Sequence, residues 1–368
     1  MKKKRLFSYD FVRCFATLTV VWLHFRIHTL IPEFAYTDFS DTNFGRQIVT
    51  VFFIISGVMS ARSAMREDES VPFGKRVLEY YKKRWWAIFP AFYAAYLLAM
   101  VISHGGPTII LTPRILFTVF GIDGYVEEYG IVTSYLVGEW FLGLLILLYV
   151  LTPFLVRLVR KYPVPSGIVF TLAYVAVVLF LPLPRTKETS ILVRGFDYII
   201  GLYIGSYVKK VDWRFAVPGV LALPFLFITG FPGPGSFIDT LLGTATYFLL
   251  LYIGMLIGGE AGIGQKKLPE VGAEGAGTDP VPGGQAPAPG RSGFRIPDPR
   301  LLVLFIAERS YEIYLMHHVV IRRYSMDLSG ASWLNRAAWL VFVFILVLAY
   351  ATVLHGFIKY LAANRRKR

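Results

Sequence analysis

Apolar runs long enough to cross roughly 30 Å of hydrocarbon recur at residues 9–29, 46–61, 85–103, 137–156, 166–182, 191–208, 215–231, 237–257, 300–321 and 334–358. Taken together they predict an all-α polytopic integral membrane protein with about ten transmembrane helices. The second run, built on IVTVFFIISGVMSA, is short and draws on its flanks, while 108–120 suits an interfacial helix or a re-entrant piece of the loop after span three. Residues 258–299 contain EVGAEGAGTDPVPGGQAPAPGRSG. That composition needs no packed core and reads as a flexible cytoplasmic linker. The expected organisation is eight spans over 1–257, the linker over 258–299, two final spans of the same core over 300–358, and a basic cytoplasmic tail over 359–368. No internal repeat is apparent, so an inverted-repeat transporter draws no support from the pattern.

Charge supplies the orientation. With the N-terminus inside, the connections meant to be cytoplasmic hold Arg62, Arg76, Lys82, Lys83, Arg84, Arg157, Arg160, Lys161, Lys209, Lys210 and the terminal Arg365–Arg368 cluster, whereas Asp38, Asp41, Asp123, Glu127 and Glu128 fall opposite. This obeys the positive-inside bias, with Arg322 and Arg323 as exceptions, and puts both termini in the cytoplasm. The expected location is the cell inner membrane, multi-pass. The net charge of +14 would suit nucleic acid, but cations that partition with topology exclude that reading. A lone Cys14 rules out an intramolecular disulfide and argues against a thiolate metal cage. The basic start Lys2–Arg5 imitates a signal peptide, yet the apolar run behind it holds Arg13 and no small-residue cleavage signal follows, so it reads as a retained first span. A hydrophobic content of 55% and mean hydropathy of +0.55 agree with the membrane class.

The polar residues inside the spans carry the candidate chemistry. In DFVRCFATLTVVWLHFRIH, from Asp10 to His28, Arg13 and His24 lie eleven positions apart. At about 100° per residue they return to nearly one helix face, about 16 Å apart along the axis. One side of the first helix could therefore line a polar path, with Arg13 toward the cytoplasm, His24 toward the far side and Asp10 one turn from Arg13. Arg13 also admits snorkelling to headgroups, and His24 admits a hydrogen bond to another helix. His24 has the sharper alternative: near neutral pH an imidazole can take a proton from a hydroxyl. His28, at the outer end, reads as interfacial.

YYKKRWWAIFPAFYAAY, from Tyr80 to Tyr96, joins a basic entrance to an aromatic span. Lys82, Lys83 and Arg84 suit phosphates and Trp85 or Trp86 could stack on a base, although topology and an interfacial aromatic belt account equally well for the same residues. Glu139, at the outer entrance of span four, suits orienting a base, meeting a sugar, or plain solvation. ERSYEIYLMHHVV places Glu308, Arg309, Glu312, His317 and His318 within span nine, where a satisfied polar network competes with direct chemistry. Ser56 and Gly57 suit close helix packing or an acyl-bearing serine. Four histidines are countable metal ligands, but no metal-binding signature joins them and no metal is expected.

These segments resemble the integral-membrane acyltransferase-3 family, which includes bacterial polysaccharide O-acetyltransferases. YDFVRCFATLTVVWLHF is similar to the family's opening arginine–histidine motif, VFFIISGVM to its second-helix motif, and KKRWWAIFPAFY to its basic-to-proline motif. EWFLGLLILLYVLTP and SYEIYLMH resemble the two later motifs, the last ending at His317. The segments keep family order over most of the chain. The basic motif departs at Ala87, where the family often has a second arginine.

The resemblance implies an enzyme: an O-acyltransferase that takes an acyl group from cytoplasmic acyl-CoA, acetyl-CoA foremost, and gives it to a hydroxyl of an extracytoplasmic polysaccharide, glycan or glycolipid. It further implies His24 as the leading base, Arg13 and Arg84 on the donor, and His317 supporting the site. The site residues so expected are His24, Arg13, Glu139 and His317 for catalysis, and Arg13, Lys82, Lys83, Arg84, Trp85 and Ser56 for the donor. Partners are the acceptor and the lipid bilayer, with self-association left open. The rival class is a proton-coupled transporter or flippase using Arg13, His24 and the Glu308–His317 region as its path.

Overall fold

A computed structural model describes residues 6–29, 43–64, 70–103, 112–134, 136–181, 189–227, 235–260 and 298–365. Their regular structure is helical: α1 (Phe7–His28), α2 (Asn43–Ala64), α3 (Phe73–Ile102), α4 (Ile115–Val119), α5 (Asp123–Glu127), α6 (Glu139–Lys161), α7 (Pro163–Phe180), α8 (Ile191–Tyr207), α9 (Trp213–Ala222), α10 (Gly235–Gly258), α11 (Pro299–Glu308), α12 (Ser310–Tyr324) and α13 (Trp333–Arg365). A 3-10 turn over Leu223–Phe227 extends α9. Among the described residues each of the ten apolar runs overlaps a helix, and six helices, α2, α3, α6, α7, α10 and α13, are long and apolar enough to cross a membrane. Most of the linker, residues 261–297, lies outside the described residues.

Helix boundaries depart from the hydropathy reading where charge and helix propensity conflict. α3 begins at Phe73, twelve positions before the expected span, because GKRVLEYYKKR is rich in helix formers and lacks proline. α13 likewise continues to Arg365, through most of the expected tail. The expected ninth span is two helices rather than one. Arg309 sits between α11 and α12 with φ −104° and ψ 6°, and its backbone N–H donates to Ile306 O, one residue short of the α-helical partner. The Phe305 carbonyl that a continuous helix would use accepts instead from the Arg309 guanidinium at 3.0 Å, which lies 3.6 Å from the Phe305 ring centroid.

Two packed groups meet along α1. On one side Val12, Val51, Ile54, Tyr247 and Leu251 join α1 to α2 and α10, with α8 behind them; on the other, Phe92, Ala95, Ile313, Val320 and Val347 join α3, α12 and α13. The α2–α8 contact depends on glycine. A Cβ on Gly57 would lie 2.2 Å from Tyr198 O, and one on Gly201 would lie 2.2 Å from Ile54 O, so the backbones touch as small residues allow in membrane bundles. Gly57 thus takes the packing role that the sequence offered for it. Nearby, Asp197 Oδ2 accepts from the Arg194 guanidinium and from Thr50, each at 3.0 Å, and its Oδ1 accepts from Thr240 at 2.6 Å. Arg46 meets Asp239 at 3.0 Å. This buried network ties α2, α8 and α10 together without leaving a lone charge. Facing away from the bundle, α7 and α13 present side chains such as Leu172, Phe180 and Val353, exposed by 63%, 79% and 69%; apolar surface of that extent calls for lipid.

Candidate active site

Glu139 opens α6 in a conformation that few side chains adopt: its φ is +38°, directly after Gly138 at +95°. A non-glycine residue in the left-handed region is uncommon, and such strain persists only where neighbours over-determine it. Two neighbours do so. The Tyr314 hydroxyl donates to Gly138 O in a short hydrogen bond and accepts from Leu142 N at 3.2 Å, bracketing the turn. From the other side α5 lies so close that a Cβ on Gly124 would sit 2.6 Å from the Glu139 carbonyl carbon.

The strained turn aims the Glu139 carboxylate at three imidazoles. Its Oε1 lies 2.7 Å from His318 Nε2 and 3.4 Å from His317 Nε2; its Oε2 lies 3.7 Å from His24 Nε2. His318 Nε2 is also 2.8 Å from His24 Nδ1, so one ring donates to the other. His317 is fully buried, with Nδ1 2.6 Å from Tyr314 O. The carboxylate therefore lies against all three rings, and His318 Nε2 sits between Glu139 and His24. His28 adds an edge contact on His318, with ring centroids 5.4 Å apart.

Two cavities flank this cluster. One, about 360 Å³, is lined by His24, Glu139, Arg46, Arg194 and Trp140. The other, about 500 Å³, is lined by Arg13, Ser56, Arg84, Tyr149 and Ser310. Phe52, Phe141 and Tyr314 line both. Their rings form a partition, with Phe141 5.7 Å from Phe52 and 5.5 Å from Tyr314 between centroids. Arg13 is half-buried and 3.6 Å from Asp10, its partner one turn before. Arg84 donates to Ser60 Oγ at 3.0 Å and stacks 4.2 Å from the Tyr149 ring centroid.

The sequence-derived candidates are thus brought together in two sets: His24, Glu139 and His317 around the carboxylate, and Arg13, Ser56 and Arg84 around the larger cavity. Lys82, Lys83 and Trp85 are exposed and line neither. Tyr314 was not among the candidates, and His318 was placed in the span-nine polar group without a site role, although it holds the shortest contact to Glu139. A signal was present in the sequence: Tyr314 lies three positions before His317 and four before His318, spacings that put it beside each of them on α12. In the connection between α3 and α6, Tyr125 is buried and hydrogen-bonds Tyr129 at 3.0 Å, so this pair holds that connection.

The donor atoms of His24, Glu139, His317 and His318 all fall within 4.8 Å of one another. Three imidazoles and a carboxylate form a set that a divalent transition metal can use. Within the set, His318 and His24 hydrogen-bond each other, whereas Glu139 Oε1, His317 Nε2 and His318 Nδ1 are buried with no hydrogen-bond partner.

The acyltransferase-3 family, described as an acyltransferase domain, matches residues 6–356. The chain belongs to the acyltransferase-3 family. Among curated proteins it is similar to acyltransferase MdmB of Streptomyces mycarofaciens, 25% identical over 213 residues, which is 50% of this chain and 52% of that protein. The matched part thus spans about half the length of that curated relative. No solved structure matches the chain. Membership in the acyltransferase-3 family supports acyl transfer as the class of activity, and the long apolar helices suit a membrane protein.

Proposed function

We propose that the protein is a membrane-bound O-acyltransferase that takes an acyl group, acetyl foremost, from cytoplasmic acyl-CoA and transfers it to a hydroxyl of an extracytoplasmic glycan or glycolipid. The observation that carries this reading is the placement of His24 and Glu139 on one cavity and Arg13 and Arg84 on another, with three shared aromatic residues between them. The ten helical runs each cross the inner membrane in this proposal, α11 and α12 together as one crossing, and both termini are cytoplasmic. The cavity of Arg13 and Arg84 then belongs to the inner half and that of His24 to the outer half.

In the proposed reaction the thioester reaches the partition from the Arg84 side while the acceptor hydroxyl enters the His24 cavity. His24 takes the hydroxyl proton as the oxygen bonds to the thioester carbonyl carbon. The tetrahedral intermediate then collapses, the C–S bond breaks, and the proton passes from His24 to the leaving sulfur, which regenerates the base and releases CoA. Glu139, acting directly and through His318, stabilises the imidazolium formed in between. His317 fixes the carboxylate from the buried side. Direct transfer is favoured over an acyl-serine because, among the described residues, no histidine lines the cavity that holds Ser56.

The test is to place the purified protein in sealed vesicles with acyl-labelled acetyl-CoA on the face of the termini and a surface-glycan acceptor on the other. Labelled ester on the acceptor, with stoichiometric CoA, supports the reading. Movement of an unmodified glycan or of protons without ester would favour the transporter.

A further inference from the structure

At the end of the bundle where α3 begins and α6 ends, a cleft of about 410 Å³ is lined by Arg76, Arg157, Arg160 and Lys161, and its described lining includes no carboxylate. Two of these guanidiniums face one aromatic ring: Arg157 lies 4.6 Å and Arg76 5.9 Å from the Phe73 centroid. Arg76 Nε is buried with no hydrogen-bond partner. The positive-inside bias accounts for cations at this end. It does not account for their convergence on one concave site around a ring, nor for a buried guanidinium nitrogen without an acceptor, which is costly unless a ligand supplies one.

The cleft continues toward the larger cavity. Tyr80 and Thr152 line the cleft; one turn further along the same helices, Arg84 and Tyr149 line the cavity. Arg84 joins the two, its guanidinium 5.2 Å from the Tyr80 ring and 4.2 Å from the Tyr149 ring. From Arg157 to Glu139 is eighteen positions of α6, about 27 Å at 1.5 Å per residue. A ligand with phosphates and an aromatic base at one end, a long arm, and a reactive group at the other has this build.

We propose that the α3–α6 cleft binds the phosphorylated nucleotide end of the donor, with Arg76, Arg157 and Lys161 on the phosphates and Phe73 against the base, while the thioester arm passes Arg84 toward Glu139. This rests on the acyl-CoA reading above. It shifts phosphate recognition from the exposed Lys82 and Lys83 to cations that line a cavity, and guanidiniums suit phosphate by charge and by paired donors.

The experiment compares the parent with Arg76→Gln/Arg157→Gln, both as full chains in vesicles, using acetyl-CoA and acetyl-pantetheine, which lacks nucleotide and phosphates. Direct binding of CoA and of adenosine 3′,5′-bisphosphate is measured alongside. The variant is expected to raise KM for acetyl-CoA by about tenfold or more, to weaken bisphosphate binding equally, and to leave kcat and acetyl-pantetheine turnover unchanged. Unchanged acetyl-pantetheine turnover also shows that the variant is folded. Equal CoA binding by parent and variant would overturn the cleft while leaving the acyltransferase reading intact. A parent that neither binds CoA nor turns over acetyl-CoA would overturn both. Vesicles of phosphatidylcholine and of phosphatidylglycerol separate the sources of phosphate: an effect confined to phosphatidylglycerol would make a lipid headgroup the occupant and overturn the proposal.

Discussion

Replacing Glu139 by Gln removes one charge from the centre of three imidazoles while keeping the side chain's length and its ability to hydrogen-bond. Glu139 Oε2 lies 3.7 Å from His24 Nε2, and the two side chains are only 14% and 25% exposed, so bulk water screens the pair weakly. At an effective dielectric of about 20, a charge pair at that separation is worth about 4.5 kcal/mol. The interaction exists only once His24 has taken a proton, so its loss falls on the transition state rather than on substrate binding. The amide dipole and reorganised cavity water recover part of it, which leaves a loss of about 2–4 kcal/mol, or about 30- to 1000-fold in kcat. Because Glu139 lines the His24 cavity and Arg84 the other, KM for acetyl-CoA should move little. The assay is initial-rate release of CoA with acceptor present, run at matched levels of folded protein. A kcat within twofold of the parent, or a loss confined to KM for the donor, would refute the assignment of Glu139 to the imidazolium.

Gly201→Ala should destabilise the bundle by about 2 kcal/mol or more through overpacking, because the new methyl would lie 2.2 Å from Ile54 O; an unchanged detergent melting temperature would count against the α2–α8 contact. Asp123, in the connection between α3 and α6, has its carboxyl pushed up to about 7 by burial, against the pull of the Gly124 N–H and Thr118. Its unfolded counterpart titrates near 3.9, so the folded state holds the extra proton between those values and this stability is lost as pH rises through about 7. The parent's melting temperature should therefore fall between pH 5 and 8 by more than that of Asp123→Asn, and parallel curves would contradict the burial. If the three histidines and Glu139 work by proton transfer without a metal, exhaustive chelation with metal analysis should leave turnover unchanged; activity lost on chelation and restored by one divalent metal would make the cluster a metal centre.

Much of the helical pattern was legible because apolar length is a strong signal, and the Arg13–His24 spacing followed from helical periodicity alone. Less visible were features set by tertiary contact. The break at Arg309 depends on a guanidinium turning back onto the Phe305 carbonyl, an event that hydropathy does not encode. The left-handed turn at Glu139 depends on Tyr314, 175 positions later in the chain, so the sequence left the carboxylate balanced between orienting a base and simple solvation. Arg194 and Asp197 did offer a signal, two opposite charges one turn apart inside an apolar run, and pairs of that kind mark buried networks. Lys82, Lys83 and Trp85 show the converse situation. Residue type suited a ligand, but the helix presents them outward, and of the basic motif's cations Arg84 is the one that lines the larger cavity.

The account stands most directly on the proton-accepting ring of α1. The decisive measurement is ester formation on an extracytoplasmic glycan by vesicles carrying His24→Gln, compared with the parent at equal folded content and saturating acetyl-CoA. The account predicts that CoA binding persists while labelled ester falls to background. Ester formed by the variant at the parental rate would contradict it.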